Sequence, residues 1–237
     1  MGLGPRTNSG SLGRSKRRQR PVELPCNRAN AAILKVLSKY APEYHRIAMT
    51  HAVTMPALKE WSAVVHALLD GRQRVLLRKG GIGEKRFDVT AREFLLFPTV
   101  AHSHAERVRP EFRDLLTAAA ADSADDRLVV RAVAKVVAVL AVNRTDNIAA
   151  IEDLHIWTAE SVRRDRLDFR PKHRLAVLVV QAIPLDEPVE LPRTPDYAGC
   201  TSWVQLPLRG PSPSLGVPVH DEASLCDVAA RVRDAVE

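Results

Sequence analysis

The run Leu175 to Ile183 (Leu-Ala-Val-Leu-Val-Val-Gln-Ala-Ile) constrains the fold more than any other stretch of this 237-residue chain. Gln181 is its only polar member, and the β-branched residues among the rest predict a strand that is apolar on both faces. A strand of that kind belongs at the centre of a sheet and needs cover on both sides.

Other stretches supply neighbours and cover. Gln73 to Lys79 reads as a strand through Val75, Leu76 and Leu77, closed by Gly80-Gly81. Glu93 to Thr99 reads as a second strand, Phe94-Leu95-Leu96-Phe97, with Pro98 ending its pairing. With a glycine-containing loop between them, these two runs predict a long hairpin. Ser202 to Leu206 reads as a closing strand. Pro56 at a first turn, with Leu58, Trp61, Val64, Val65 and Leu68 at three- and four-residue spacing, predicts a helix stopped by Asp70-Gly71. Ala29 to Tyr40, Arg109 to Ala121, Thr158 to Arg166 (Thr158 as N-cap) and Glu222 to Val236 also read as helices. Asp125 to Val142 is the most apolar segment. Its length predicts a helix, while Val129-Val130 and Val136-Val137 are β-branched and leave a strand as the alternative. The fold class expected is α+β: a small mixed or antiparallel sheet, or partial barrel, with several packed helices.

Charge divides the chain. The formal net charge is +7, yet residues 1–48 hold ten basic side chains against Glu23 and Glu43, so residues 49–237 sum to −1. The Gly, Ser, Arg and Pro content of residues 1–25 predicts disorder. The expected organisation is a basic arm over 1–48 and one α+β domain over 49–237, with Met49 or Met55 as alternative starts to Met1. Within the domain, residues 71–113 carry ten basic groups against five acidic ones, a local basic face suited to an anionic backbone. Cys26, Cys200 and Cys226 leave one thiol unpaired, which favours a reducing compartment. The basic run Arg14–Arg20 precedes no apolar stretch, and Arg131 and Lys135 interrupt the longest apolar run. Neither a secretory signal nor a spanning helix is expected, and cytoplasmic localisation follows.

The densest polar group is Gly71 to Ile82. Arg72, Arg74, Leu76 and Arg78 fall on one face of its strand and Gln73, Val75, Leu77 and Lys79 on the other. The glycines do not have phosphate-loop spacing, so a structural turn is favoured. His102 and His104, with His155, Glu93 or Cys200 available as a third ligand, are weak metal candidates, Glu93 being the carboxylate among them, and a solvated loop is the favoured reading. No nucleophile elbow, cysteine–histidine pairing motif or nuclease motif is present.

Six short segments carry a family resemblance. They are Leu58-Lys59-Glu60-Trp61, Leu77-Arg78-Lys79-Gly80-Gly81-Ile82 and Glu93-Phe94-Leu95-Leu96-Phe97-Pro98-Thr99, followed by Ile156-Trp157-Thr158, Arg170-Pro171-Lys172 and Tyr197-Ala198-Gly199-Cys200-Thr201-Ser202-Trp203. In this order they resemble a bacterial family catalogued as domain of unknown function 1802, over about residues 55–209. The family has no established activity. Some members are joined to a restriction-endonuclease domain, which implies a recognition role in restriction-modification or with a nuclease partner. A second resemblance concerns fold. A tryptophan-bearing helix followed by Gly71-Arg72-Gln73 and a strand ending in Arg78 is similar to the start of RNA-binding PUA-like and ASCH domains, although Leu76 stands where their pattern has Glu.

The leading expectation is a DNA- or RNA-binding domain without catalysis or cofactor. Arg74, Arg78, Lys79, Gly80, Gly81 and Lys172 form its surface, and Trp61 or Trp203 either stacks a base or sits in the core. Two alternatives stand beside it. One is a metal-dependent hydrolase using His102 and His104. The other is an interaction module recruiting a nuclease or toxin through Val129–Val142 or the C-terminal helix.

Overall fold

The computed structural model describes residues 53–80, 86–100, 104–208, 210 and 212–237. The basic arm, the Ala29–Tyr40 helix, Met1, Met49, Cys26, Gly81 and His102 lie outside the described residues.

Six strands form one mixed sheet in the order β2-β5-β4-β3-β1-β6. They are β1 (Val53–Trp61), β2 (Val75–Lys79), β3 (Glu93–Thr99), β4 (Arg127–Ala141), β5 (Leu175–Pro192) and β6 (Trp203–Leu208). β1 and β3 run parallel, and every other pairing is antiparallel. The longer helices are α1 (Ser62–Leu69), α3 (Leu115–Ala121) and α5 (Glu222–Val236), and the short α2 (His104–Arg107) and α4 (Ala159–Val162) frame one end of the sheet. No helix among the described residues is long and apolar enough to cross a membrane.

The strand expected at 175–183 lies in β5, hydrogen-bonded on both sides and buried throughout that run. The segment Asp125–Val142 is not a helix. It holds β4, which pairs with β5 along almost its whole length. A helix buries one stripe, but here both faces are covered: Ala132, Ala134 and Val136 join one cluster and Leu128, Val130 and Val133 the other. Six valines in fifteen residues suit that pleated, two-sided environment. The register breaks between Val130 and Ala132, and there the alternation of faces reverses, as an inserted residue requires.

Three more expectations are corrected. β2 and β3 do not form a hairpin, because β5 and β4 stand between them and supply their partners. Pro98 does not end β3 but lies within it, level with Glu60 of β1. The helix expected from Pro56 begins only at Ser62. Residues 53–61 are a strand whose Ala57 and Leu58 are buried in opposite clusters. Gly71 ends α1 with φ +72°, and its N–H and that of Arg72 close on the carbonyls of Leu68 and Ala67, a Schellman arrangement. The surfaces expected to recruit a protein partner are used inside the fold, since β4 is paired on both sides and α5 buries Leu225, Val228, Ala229, Val232 and Val236.

The sheet is strongly curled. In a flat sheet β2 and β1 would lie about 19 Å apart, four spacings of about 4.8 Å. Instead Arg78 Nη1 of β2 lies 3.1 Å from Glu60 Oε2 of β1. Both residues project from the face that Leu76 and Leu58 bury, so this face is concave and the ion pair clasps the open side of a partial barrel. Glu60 is 3% exposed, and its other oxygen accepts the Trp61 N–H at 2.9 Å. Elsewhere, buried Asp122 ties α1 to β4, taking His66 Nε2 at 2.7 Å and the Arg131 guanidinium. Burial alone would raise the Asp122 pKa, but the hydrogen bonds from His66 and Arg131 hold it below the ordinary value.

Breaking one side of a buried ion pair leaves the other charge stranded, whereas replacing both with apolar groups restores packing. Glu60→Leu is expected to destabilise the protein by about 3 kcal/mol in urea unfolding, and the Glu60→Leu/Arg78→Met double variant by much less. Additive losses would show that the pair is not the clasp.

Candidate functional site

The clasp sits beside a small basic and aromatic cleft. β1 ends in Trp61, whose ring meets that of His104 at 3.9 Å and the edge of Trp157 at 4.9 Å. Thr158 caps α4 by accepting the Ser161 N–H at 3.1 Å, as its sequence context predicts. Ser161 Oγ donates to the Arg107 carbonyl at 3.1 Å, which holds α4 against α2. From α4 the chain continues into a π-helical turn, Arg163–Asp168. Such wide turns displace side chains from helical register and recur at functional sites. The turn brings Asp165 Oδ2 to 3.1 Å from Arg107 Nε and directs Arg166 toward Glu60, Arg78 and Arg107.

Between these elements lies a slot of about 10 Å³, lined by Trp61, Trp157, Val162, Arg107, Ser161, Asp165 and Arg166. It has room for roughly one water-sized group. Arg107 lies over the Trp61 ring at 5.2 Å and Arg166 near that of Trp157 at 5.9 Å. Burial lowers the Arg166 pKa, and the neighbouring Arg78 and Arg107 charges lower it further against the pull of Glu60 and Asp165. A wider hollow of about 530 Å³ is lined by Asp186, Glu187, Pro188, Val189, Leu208, Pro213 and Ser214. It carries no basic side chain, so its sign is wrong for an anion.

The residues expected to meet phosphates have other partners. Arg78 is committed to Glu60, to the Lys59 carbonyl at 3.1 Å and to the Phe87 ring. Lys79 donates to the carbonyls of Arg166 at 2.6 Å, of Leu167 at 3.3 Å and of Phe169, so it anchors the π-turn and the loop after it. Burial, then Arg166, lowers the Lys79 pKa. Gly80 is buried, and its carbonyl faces His173 Nδ1 at 3.4 Å. Arg74, at the far end of β2, points its Nε to His220 Nε2 at 3.4 Å and takes no part in the cleft. Among the described residues of this set, Lys172 is the one left exposed.

Most of the family-motif residues prove architectural. Thr99 Oγ1 donates to the Glu60 carbonyl, and Lys59 Nζ reaches the Gly199 carbonyl at 3.1 Å. Phe97 meets Tyr197 edge-on. Trp203 donates to the Asp88 carbonyl and packs on Phe94 and Phe87. Trp61 and Trp157 wall the cleft, and Cys200 is an exposed free thiol. Among the described metal candidates, Glu93 and His104 lie apart. Glu93 begins β3 and His104 follows its far end, some six strand steps or about 20 Å away. Among the described residues no three His, Cys, Asp or Glu side chains gather at metal-binding distance.

Sequence reasoning passed over Arg107, Asp165, Arg166 and Phe169. The available signal was composition: residues 163–174 hold six basic groups against two acidic ones, flanking a phenylalanine. Phe169 is 55% exposed, with the Arg170 guanidinium 5.0 Å from its ring, whereas Phe87, Phe94 and Phe97 are buried.

A family model described as a domain of unknown function (DUF1802) matches residues 57–231, reaching past residue 209 and into α5. No curated protein matches the chain. Among solved structures, a mutant ZmASCH protein from Zymomonas mobilis is similar at 14% identity with a TM-score of 0.35, over 74% of this chain and 94% of that one. At that score the likeness is too slight to bear on function.

His104 and His155 are both buried, and burial followed by a nearby arginine (Arg107 and Arg109 respectively) lowers each pKa to about 4. Both stay neutral in the folded state while the unfolded forms titrate near 6.5. Their contribution to stability is therefore full above pH 6.5 and declines as pH falls toward 4. Urea unfolding is expected to take up about two protons near pH 5, and His155→Phe about one fewer. A pH-independent midpoint between 6.5 and 4.5 would contradict this assignment.

Proposed function

The chain belongs to the family described as domain of unknown function 1802, and from that premise we propose that it binds single-stranded nucleic acid on the face built by the π-turn and residues 169–174. The carrying observation is Phe169. Phe87, Phe94 and Phe97 are buried in the core, whereas Phe169 is 55% exposed and stands between Arg166 and the basic run Arg170-Pro171-Lys172-His173-Arg174. A base stacks on such a ring, and the flanking cations meet the phosphates on either side.

Three features support the reading. The Lys79 ammonium fixes the carbonyls at Arg166, Leu167 and Phe169, so the platform is held rather than loose. Lys172 and Arg174 are exposed, as are Arg163 and Arg164, while Glu106, Glu160 and Asp168 are exposed acids nearby. A single ring with charge on both sides suits an unpaired strand better than a duplex, whose bases are already stacked. On this reading Arg78, Lys79 and Gly80 belong to the binding surface as its support, and Lys172 as a contact.

The test is a salt titration of the full chain with single-stranded DNA, RNA and duplex DNA, beside Phe169→Ala and Lys172→Ala. Comparing variants removes the contribution of the basic N-terminal segment, which all of them share. Phe169→Ala is expected to weaken single-strand binding about tenfold. Lys172→Ala should flatten the log–log salt slope by about 0.7. Wild-type affinity and slope in both variants would refute the site.

A further inference from the structure

We propose that the slot between α2 and the π-turn is a seat for one phosphate oxyanion, with Arg166 as its principal cation. The inference deepens the nucleic-acid reading by assigning a second, buried contact, and it rests on that reading only for what carries the phosphate.

The argument begins with charge. Three guanidinium groups, Arg78, Arg107 and Arg166, converge on two carboxylates, Glu60 and Asp165. Arg78 takes Glu60 at 3.1 Å. Asp165 is already shared, at 3.1 Å from Arg107 and 3.0 Å from Arg164. Arg166 is left over: among the described residues it has neither a carboxylate at ion-pair distance nor an acceptor for its guanidinium hydrogens. It is half-buried, repelled by two like charges, and carries five donors in a rigid fork. Its guanidinium nitrogens reach solvent at the mouth of the slot, and an entering anion would replace those water contacts with charge-assisted hydrogen bonds.

Size and surroundings narrow the ligand. The slot admits about one oxygen-sized group and cannot take a ring, so the ligand inserts an oxyanion tip while its bulk remains outside. Its apolar walls, Trp61 and Trp157, exclude water from the contact and strengthen it. Phe169 lies three residues beyond Arg166 along the same turn, so a seated phosphate and a stacked base can belong to one strand. A phosphate monoester and a chain diester present the same tip, and the experiment separates them.

The full chain is titrated with inorganic phosphate against chloride at equal ionic strength, following tryptophan fluorescence and thermal midpoint, because two of its three tryptophans wall the slot. Phosphate is expected to shift both signals saturably. Arg166→Gln should weaken the apparent affinity about tenfold or more. Arg166→Lys, which keeps the charge but loses the fork, should fall between and serves if the glutamine variant does not fold. Phe169→Ala should leave the phosphate response intact while losing strand binding, so the two proposals fail independently. Oligonucleotides with and without a 5′ phosphate then identify the source. A preference for the phosphorylated end removed by Arg166→Gln marks a chain terminus, and equal binding with equal sensitivity to Arg166→Gln marks an internal diester. A phosphate response no larger than that of chloride, or one unchanged in both Arg166 variants, overturns the proposal.

Discussion

The ion pair between Glu60 and Arg78 is what turns a six-stranded sheet into a near-closed body. Its partners come from strands four places apart in the sheet order, and their 3.1 Å contact spans the concave face of the curled sheet. No backbone ladder joins the two ends; the closure is made by side chains. A carboxylate that is 3% exposed cannot stay charged without partners, and here it has the guanidinium and the Trp61 N–H. Thr99 holds the carbonyl of the same residue, which fixes the third neighbouring strand to the clasp.

Closing the curl there has a consequence for the surface. It gathers the ends of β1 and β2 with α2, α4 and the π-turn; β2 contributes Arg78 and Lys79, α2 Arg107 and the π-turn Arg166. Carboxylates neutralise only part of that charge. The outermost loop, pinned by Lys79, carries the rest into solvent around Phe169. The same lysine therefore serves the architecture and the surface: its three carbonyl acceptors are the backbone of the segment that presents the ring.

How much of this was legible in the sequence depends on the kind of signal. β3, α5 and the Thr158 cap follow from local pattern, because their apolar spacing and capping chemistry admit one reading. β4 did not, since fifteen residues of Ala, Val and Leu satisfy a helix by length and a strand by branching, and only pairing with β5 decides. The β2–β3 hairpin failed for a related reason. Proximity in sequence favours a hairpin, but each strand gains more by joining the long pair at the centre. For the cleft, the motif residues Arg78, Lys79, Trp61 and Trp157 lie in or beside it, but a strand-face argument shows where a side chain starts and not what it meets, so the Glu60 partner of Arg78 and the carbonyl partners of Lys79 were not legible.

Arg166 illustrates that limit most clearly. In sequence it is one of four arginines in eight residues, and nothing local separates it from Arg163, Arg164 or Arg170. What it meets makes the difference. Val162 and Arg166 lie four residues apart on one face, and with Asp165 they line the slot where the α4 helix runs into the π-helical turn. A turn of that kind gives up regular hydrogen bonding, and the Lys79 ammonium supplies donors to the carbonyls it leaves at Arg166, Leu167 and Phe169. The basic residue that sequence reasoning placed on phosphate is thus the one that lets a different basic residue face the slot.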